Sequence, residues 1–294
     1  MYKQIMVPLD GSKLAESAIP FAVRIATECK GQITLFAVSP PGGFPQGKRL
    51  SSYLNDRCRE LIQPHRLPAC TIVHFGDTAD RILDYAKHAG MDLIVIPSHG
   101  ETGPGRCSTG NICTKVINET HTPLLLVKIG PGLNPHNVMA RWKILVPLDG
   151  SEMAEKILPC VYDLAIDSDN EIILFGVSKP CESGKYGFAN MAQNQSNTCQ
   201  QVMERTEQSV EQYLQKLQNQ IKSQDMHVKI DISCGKAADE IIRYAESKDI
   251  NIIAMTTQGE SGYSRSPFGS VADKVIHGTS KPVLMLRPHP RIIH

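Results

Sequence analysis

The sequence predicts an α/β protein made of two tandem open-sheet domains. Two observations carry this. Val7-Pro8-Leu9-Asp10-Gly11-Ser12 recurs unchanged as Val146-Pro147-Leu148-Asp149-Gly150-Ser151. Around each copy, short apolar runs that suit buried strands alternate with longer segments of helical period. The match continues at an offset of 139, through Ala15-Glu16 with Ala154-Glu155 and Ile33 to Ser39 with Ile172 to Ser178. Farther on the offset becomes 159, where Gly76, Asp80 and Tyr85 match Gly235, Asp239 and Tyr244. The second copy therefore carries about 20 additional residues between its second and third strands.

The elements of the first copy come in a regular order. Residues 3–9 read as a strand that ends at Asp10. Residues 12–29 have helical spacing (Leu14, Ala18, Phe21, Ala22, Ile25), with Gly31 as the stop. A strand over 32–38 comes next, then a short helix over 53–62 closed by Pro64 and Pro68. Strand 69–75, helix 79–89, strand 93–96, helix 111–120 and strand 124–127 complete the unit. Leu93-Ile94-Val95-Ile96 is apolar on both faces, as a parallel strand covered by helices on both sides must be. The second copy repeats the order with a longer helix over 200–222, at the end of a Gln-rich stretch that could form a lid or a partner-binding segment. Gly130, Pro131, Gly132, Asn134 and Pro135 mark a linker, which gives domains over 1–130 and 141–294 joined by 131–140.

Composition excludes several classes. The 294 residues carry 31 Lys+Arg against 30 Asp+Glu, a net charge of +1, which argues against a general nucleic-acid or polybasic membrane binder. No run approaches the ~18 apolar residues of a membrane span, and the amino terminus does not read as a signal peptide. Nine cysteines, an odd number without C-x-x-C, fit reduced thiols and a cytoplasmic setting better than disulfides or a thiolate metal site.

Ligands of open α/β sheets bind outside the carboxyl ends of the strands, where strand order reverses. Three segments of each copy end there: the first strand, the second strand and a glycine-containing loop. The loops are Pro97-Ser98-His99-Gly100, nine residues, Gly110-Asn111, and Thr256-Thr257-Gln258-Gly259, nine residues, Gly269-Ser270. Small residues entering a helix let backbone N–H groups approach phosphate oxygens, and the helix N-terminus favours negative charge. Ser270 could cap that helix and donate to a phosphate. The Asp10 or Asp149 carboxylate could accept from an adenine amino group or a ribose hydroxyl; its structural alternative is to cap the next helix. Ser98-His99 lacks an orienting third group and reads as loop polar residues rather than a nucleophile and base. Cys107 and Cys113 are candidate regulatory thiols or small fillers, and Arg106 and Arg265 either reach a phosphate or are solvated. No catalytic residue and no metal ligand set is assigned.

These motifs resemble the universal stress protein family in its tandem two-domain form, over nearly the whole chain. The most specific pieces are the Val-Pro-Leu-Asp-Gly-Ser openings and Gly259-x9-Gly269-Ser270-Val271, followed by Lys281-Pro282-Val283-Leu284. The resemblance implies five parallel strands of order 3-2-1-4-5 in each domain. It implies pairing of the two domains through their last strands, and leaves a homodimer of the whole chain open. It implies a stress-response regulator that binds an adenine nucleotide, ATP with or without Mg²⁺, at the switch point of one or both domains. Carried over, Pro147, Leu148, Asp149 and Val177 would hold adenine and ribose, Met255 and Thr256 would line the nucleotide, and Gly259, Gly269, Ser270 and Val271 would hold phosphates. The first copy would use Pro8, Leu9, Asp10, Val38, Gly100, Gly110 and Asn111. Both copies depart from the family's Gly-x2-Gly-x9-Gly-Ser/Thr: its first Gly is Pro97 or Thr256, and Asn111 replaces Ser/Thr. Pro97 removes one backbone donor, so the second copy is the better candidate. The alternative is a degenerate, non-nucleotide-binding interaction or dimerisation module; an enzyme would show at most slow ATP hydrolysis.

Overall fold

The computed structural model describes residues 2–98, 111–128, 138, 140–165, 169–178, 194–222, 226–259 and 268–288, without the side chains of 194–206 and 222. The first half contributes strands β1 (Gln4–Pro8), β2 (Gln32–Ser39), β3 (Ala69–Phe75), β4 (Leu93–Pro97) and β5 (Leu124–Val127). The second contributes β6 (Lys143–Pro147), β7 (Glu171–Ser178), β8 (His227–Cys234), β9 (Ile252–Thr256) and β10 (Val283–Leu286). All ten form one sheet in the order β3-β2-β1-β4-β5-β10-β9-β6-β7-β8. Each half is parallel and has the expected order 3-2-1-4-5. The halves meet through their last strands, paired antiparallel with Leu284 opposite Leu125.

Every residue of β4 and β9 is buried, which accounts for their unbroken apolar character. One buried cluster lies on the sheet face that holds Ile5, Leu54, Trp142 and Leu214, and it runs through both halves. A second, on the opposite face, holds Phe36, Ile82, Phe175 and Ile276.

Two helix expectations are corrected. Residues 12–29 are two helices, Lys13–Glu16 and Ile19–Cys29, not one. Pro20 stands in the first turn of the second helix, where its missing N–H costs nothing, and the chain breaks just before it. The repeat behaves alike, with Glu152–Glu155 followed by Leu158–Ala165 around Pro159. The helix expected over 53–62 begins earlier, at Phe44, and runs to Arg57 before a wider turn over Cys58–Ile62. Its start was hidden because Pro40-Pro41-Gly42-Gly43 and Pro45 read as loop; Pro45 is again a first-turn proline. The corresponding helix of the second half is Asn194–Lys222, six residues longer at its start than the spacing suggested. It packs close to β7: a Cβ on Gly176 would run into Val210 Cγ1.

Candidate functional site

In each half the first strand ends at the point where its neighbours diverge. β1 lies between β2 and β4, and β6 between β7 and β9. The Leu-Asp-Gly-Ser turn is built the same way twice. Leu9 and Leu148 donate N–H to Phe36 O and Phe175 O, which extends the ladder by one bond. Gly11 and Gly150 have φ of +93° and +85°, a left-handed conformation that a side chain would disfavour. Ser12 and Ser151 then cap the short helices, accepting from Ala15 N–H and Ala154 N–H at 3.1 Å. The capping role considered for the aspartates thus falls to the serines. Asp10 Oδ1 accepts from Ser12 N–H at 2.9 Å; Asp149 Oδ1 accepts from Ser151 N–H at 3.0 Å and from its hydroxyl at 2.6 Å. Both carboxylates are exposed at the mouth of the crevice.

In the second copy the expected strand residues stand at the carboxyl ends of β6, β7 and β9. Pro147 and Leu148 close β6, Val177 is the penultimate residue of β7, and Met255 and Thr256 end β9. Gly259 lies directly under Asp149, so closely that a Cβ there would meet Asp149 Oδ2. Gly269 is the N-cap of the helix Ser270–Gly278 and contributes no side-chain cap. Ser270 is therefore the first helical residue and not the cap, which corrects the sequence expectation. Val271 is half-buried beside it. Met255 packs into the core with Phe175 and Ile276 rather than facing solvent. Thr256 turns its hydroxyl onto Gln258 O at 2.6 Å, so the side chain that replaces the family glycine is folded inward. Thr257 is 2% exposed, and its Oγ1 has no hydrogen-bond partner among the described residues.

In the first copy Leu9, Asp10 and Val38 line a cavity of about 520 Å³ together with Ile112, beside Asn111 at the start of helix Asn111–Glu119. Pro8 is buried in β1. Gly100 and Gly110 lie outside the described residues, as do His99, Arg106, Cys107 and Arg265. The cavity also has walls that the spacing did not reveal: Pro40, Pro41, Gln46 and Leu50 from the unforeseen start of helix Phe44–Arg57, and Asp77 and Thr78 from the next helix. A second cavity of about 800 Å³ adjoins it across Asp10, Gln46 and Leu50, and is lined by Arg49 and Tyr53.

Tyr53 and Tyr213 are a further matched pair that the repeat search missed. Tyr53 OH donates to Glu16 Oε1 at 3.1 Å and Tyr213 OH to Glu155 Oε1 at 3.0 Å. Burial, then the carboxylate beside each, pushes both phenols up from their ordinary value. The available signal was Tyr53-Leu54 against Tyr213-Leu214, at an offset of 160 that the insertion conceals. Cys113 is buried, and burial pushes its thiol to about 12, although Lys128 nearby opposes the shift. A thiol held protonated is a poor nucleophile.

Comparison with known proteins agrees with the two-copy fold. The sequence profile of the universal stress protein family matches residues 1–128 and again 141–287. A universal stress protein of Methanocaldococcus jannaschii is 30% identical over 141 residues, covering 44% of this chain and 83% of its own length. One from Synechocystis is 21% identical over 97% of this chain and 100% of its own length. Among solved structures, a universal stress protein from Archaeoglobus fulgidus superposes with a TM-score of 0.67 at 15% identity, over 96% of this chain and 95% of its own. A protein from Pseudomonas aeruginosa superposes with a TM-score of 0.69 at 16% identity, over 98% and 93%. At such identities the structural likeness speaks to the fold alone.

Proposed function

Because this chain belongs to the universal stress protein family, we propose that it is a stress-response regulator that binds an adenine nucleotide at the switch point of one or both halves. The observation that carries this reading is the close stacking of Gly259 beneath Asp149 at the mouth of the second crevice. A Cβ at Gly259 would push on the Asp149 carboxylate, so the bare backbone there leaves the carboxylate in its place at the strand end. Thr257 Oγ1, buried without a partner among the described residues, is the kind of orphaned group that a bound polar ligand satisfies.

In this reading Pro147, Leu148 and Val177 flank the base, and Asp149 accepts from a ribose hydroxyl or the adenine amino group. Gly259 and the first N–H groups of helix Ser270–Gly278, from Ser270 and Val271 onward, take the phosphates. The nucleotide supplies negative charge at that helix terminus. A Mg²⁺ accompanying ATP would be held by the phosphates; among the described residues no three His, Cys, Asp or Glu side chains gather to hold a metal. Pro8, Leu9, Asp10, Val38, Gly100, Gly110 and Asn111 form the corresponding site of the first half. Domain limits at 130 and 141 and a cytoplasmic setting belong to the same proposal; no helix among the described residues is long and apolar enough to cross a membrane.

Isothermal titration of the whole chain with ATP is expected to show saturable binding that Gly259→Val abolishes in the second half. Absence of heat at millimolar ATP would remove the reading. A second reading, an interaction module without nucleotide, is favoured by Phe44, Phe75 and Ile112, which are 71%, 42% and 46% exposed near the first crevice. Mass spectrometry of small molecules released from purified protein separates the two readings.

A further inference from the structure

We propose that Arg49 recognises the phosphate of a nucleotide bound in the first half, so that this site holds its anion by a side chain where the second half uses its loop. The inference rests on the nucleotide reading and deepens it. Three observations lead to it.

The crevice at Asp10 is larger than the switch point alone. The cavities of about 520 and 800 Å³ share Asp10, Gln46 and Leu50 as common walls, so a ligand seated at Leu9, Asp10 and Val38 lies next to the space that Arg49 borders. Both volumes are of the size that small-molecule sites occupy.

Arg49 is the one cation that borders either cavity among the described residues, and no described carboxylate pairs with it. Its neighbours on the wall are otherwise engaged. Tyr53 OH is turned to Glu16, Asp10 Oδ1 takes the Ser12 N–H, and Asp77 Oδ1 takes the Asp80 N–H as a helix cap. Arg49 therefore offers a planar fork of donors to the cavity, the geometry that matches two oxygens of a phosphate.

The two halves differ in a complementary way. The Tyr53–Glu16 and Tyr213–Glu155 bonds fix the register of the two helices, and in that register Ser209 occupies the place of Arg49. The half that keeps Gly259, Gly269 and Ser270 has no cation at this position. The half in which Pro97 lacks an N–H and Asn111 replaces Ser270 has one. A phosphate donor lost from the loop is thus replaced by one on the helix across the crevice.

The test uses the full chain carrying Gly259→Val, which leaves only the first site, with circular dichroism to confirm the fold. AMP, ATP and adenosine are titrated into this chain and into versions that add Arg49→Ala, Arg49→Lys or Lys48→Ala. Arg49→Ala should weaken AMP and ATP roughly tenfold and leave adenosine unchanged. Arg49→Lys should recover part of the loss, and Lys48→Ala should change nothing. AMP affinity that survives Arg49→Ala overturns the proposal, as does an equal loss for adenosine, which would make Arg49 a wall and not a phosphate reader. If the Gly259→Val chain binds no nucleotide while the unaltered chain does, the proposal fails and the nucleotide reading stands. If the unaltered chain binds none, that reading fails first.

Discussion

Two glycines separate the demands of packing from those of a ligand. Gly176 has no room for a Cβ because Val210 of helix Asn194–Lys222 lies against it. Gly176→Ala must push strand and helix apart, at a cost of about 1–3 kcal/mol. Urea titration should show a lower midpoint with an unchanged slope. Gly269 is the reverse case. Its φ is −69°, and the nearest atom to an added Cβ, Thr257 O, is 3.6 Å away. Gly269→Ala should leave stability unchanged, so a loss of ATP affinity in that variant would report the approach of the ligand itself. A third residue speaks to the thiols. With its pKa pushed to about 12 by burial, Cys113 should resist alkylation at pH 8 in the folded protein and react after unfolding. Labelling of native Cys113, mapped by mass spectrometry, would contradict this.

At the scale of elements, the glycine loops lead into helices whose far ends are also tied. Glu246, at the end of helix Ala237–Ser247, accepts from Ser280 N–H at 2.9 Å, from the Ser280 hydroxyl at 2.8 Å and from the Thr279 hydroxyl at 3.2 Å. These groups form the turn between helix Ser270–Gly278 and β10. Partial burial works to raise the Glu246 pKa, but the Ser280 bonds, with Lys281 and Thr279, outweigh it and hold the carboxyl below its ordinary value. A depressed folded pKa gives stability that is present above the unfolded value, about 4.3, and is lost as pH falls through the folded value. Glu246→Gln should remove that dependence and cost about 1 kcal/mol at neutral pH, after allowance for solvent screening. Thermal melts from pH 3 to pH 7 compare the two proteins. The central strands were legible, because a doubly covered parallel strand such as β4 or β9 is buried at every position. The start of helix Phe44–Arg57 was not, since two prolines and two glycines just before it spell a loop; the helix packs on β2 and β3.

For the whole molecule, the joint between the halves is more than the β5–β10 seam. Arg24, buried in helix Ile19–Cys29, has an acceptor for every N–H of its guanidinium. Glu28, Val138 O, Ala140 O and Asn170 Oδ1 receive them, and the guanidinium lies 4.3 Å over the Trp142 ring. Asn170 in turn accepts from Trp142 N–H at 2.8 Å. One side chain of the first half thereby fixes the start of the second. Tyr2 OH adds a bond to Cys160 O at 3.0 Å across the same joint. Removal of one partner from such a buried network costs about 3–5 kcal/mol. Arg24→Ala should therefore lower stability by that order and split a single unfolding transition into two, as followed by calorimetry and by Trp142 fluorescence. One transition at the original midpoint would show that the seam alone couples the halves.

The sequence by itself determined the duplication and the order of the strands, because each depends on near neighbours and on burial that composition records. It also named Asp149 and Gly259 as candidates for one site, and the fold brings Gly259 against Asp149. What only the tertiary structure decided is which groups meet across distance. Tyr213 reaches Glu155 over an insertion, and Arg24 reads carbonyls more than a hundred residues away. Such contacts come from strand order and helix docking, and one-dimensional spacing holds no record of them once the two copies have diverged in length.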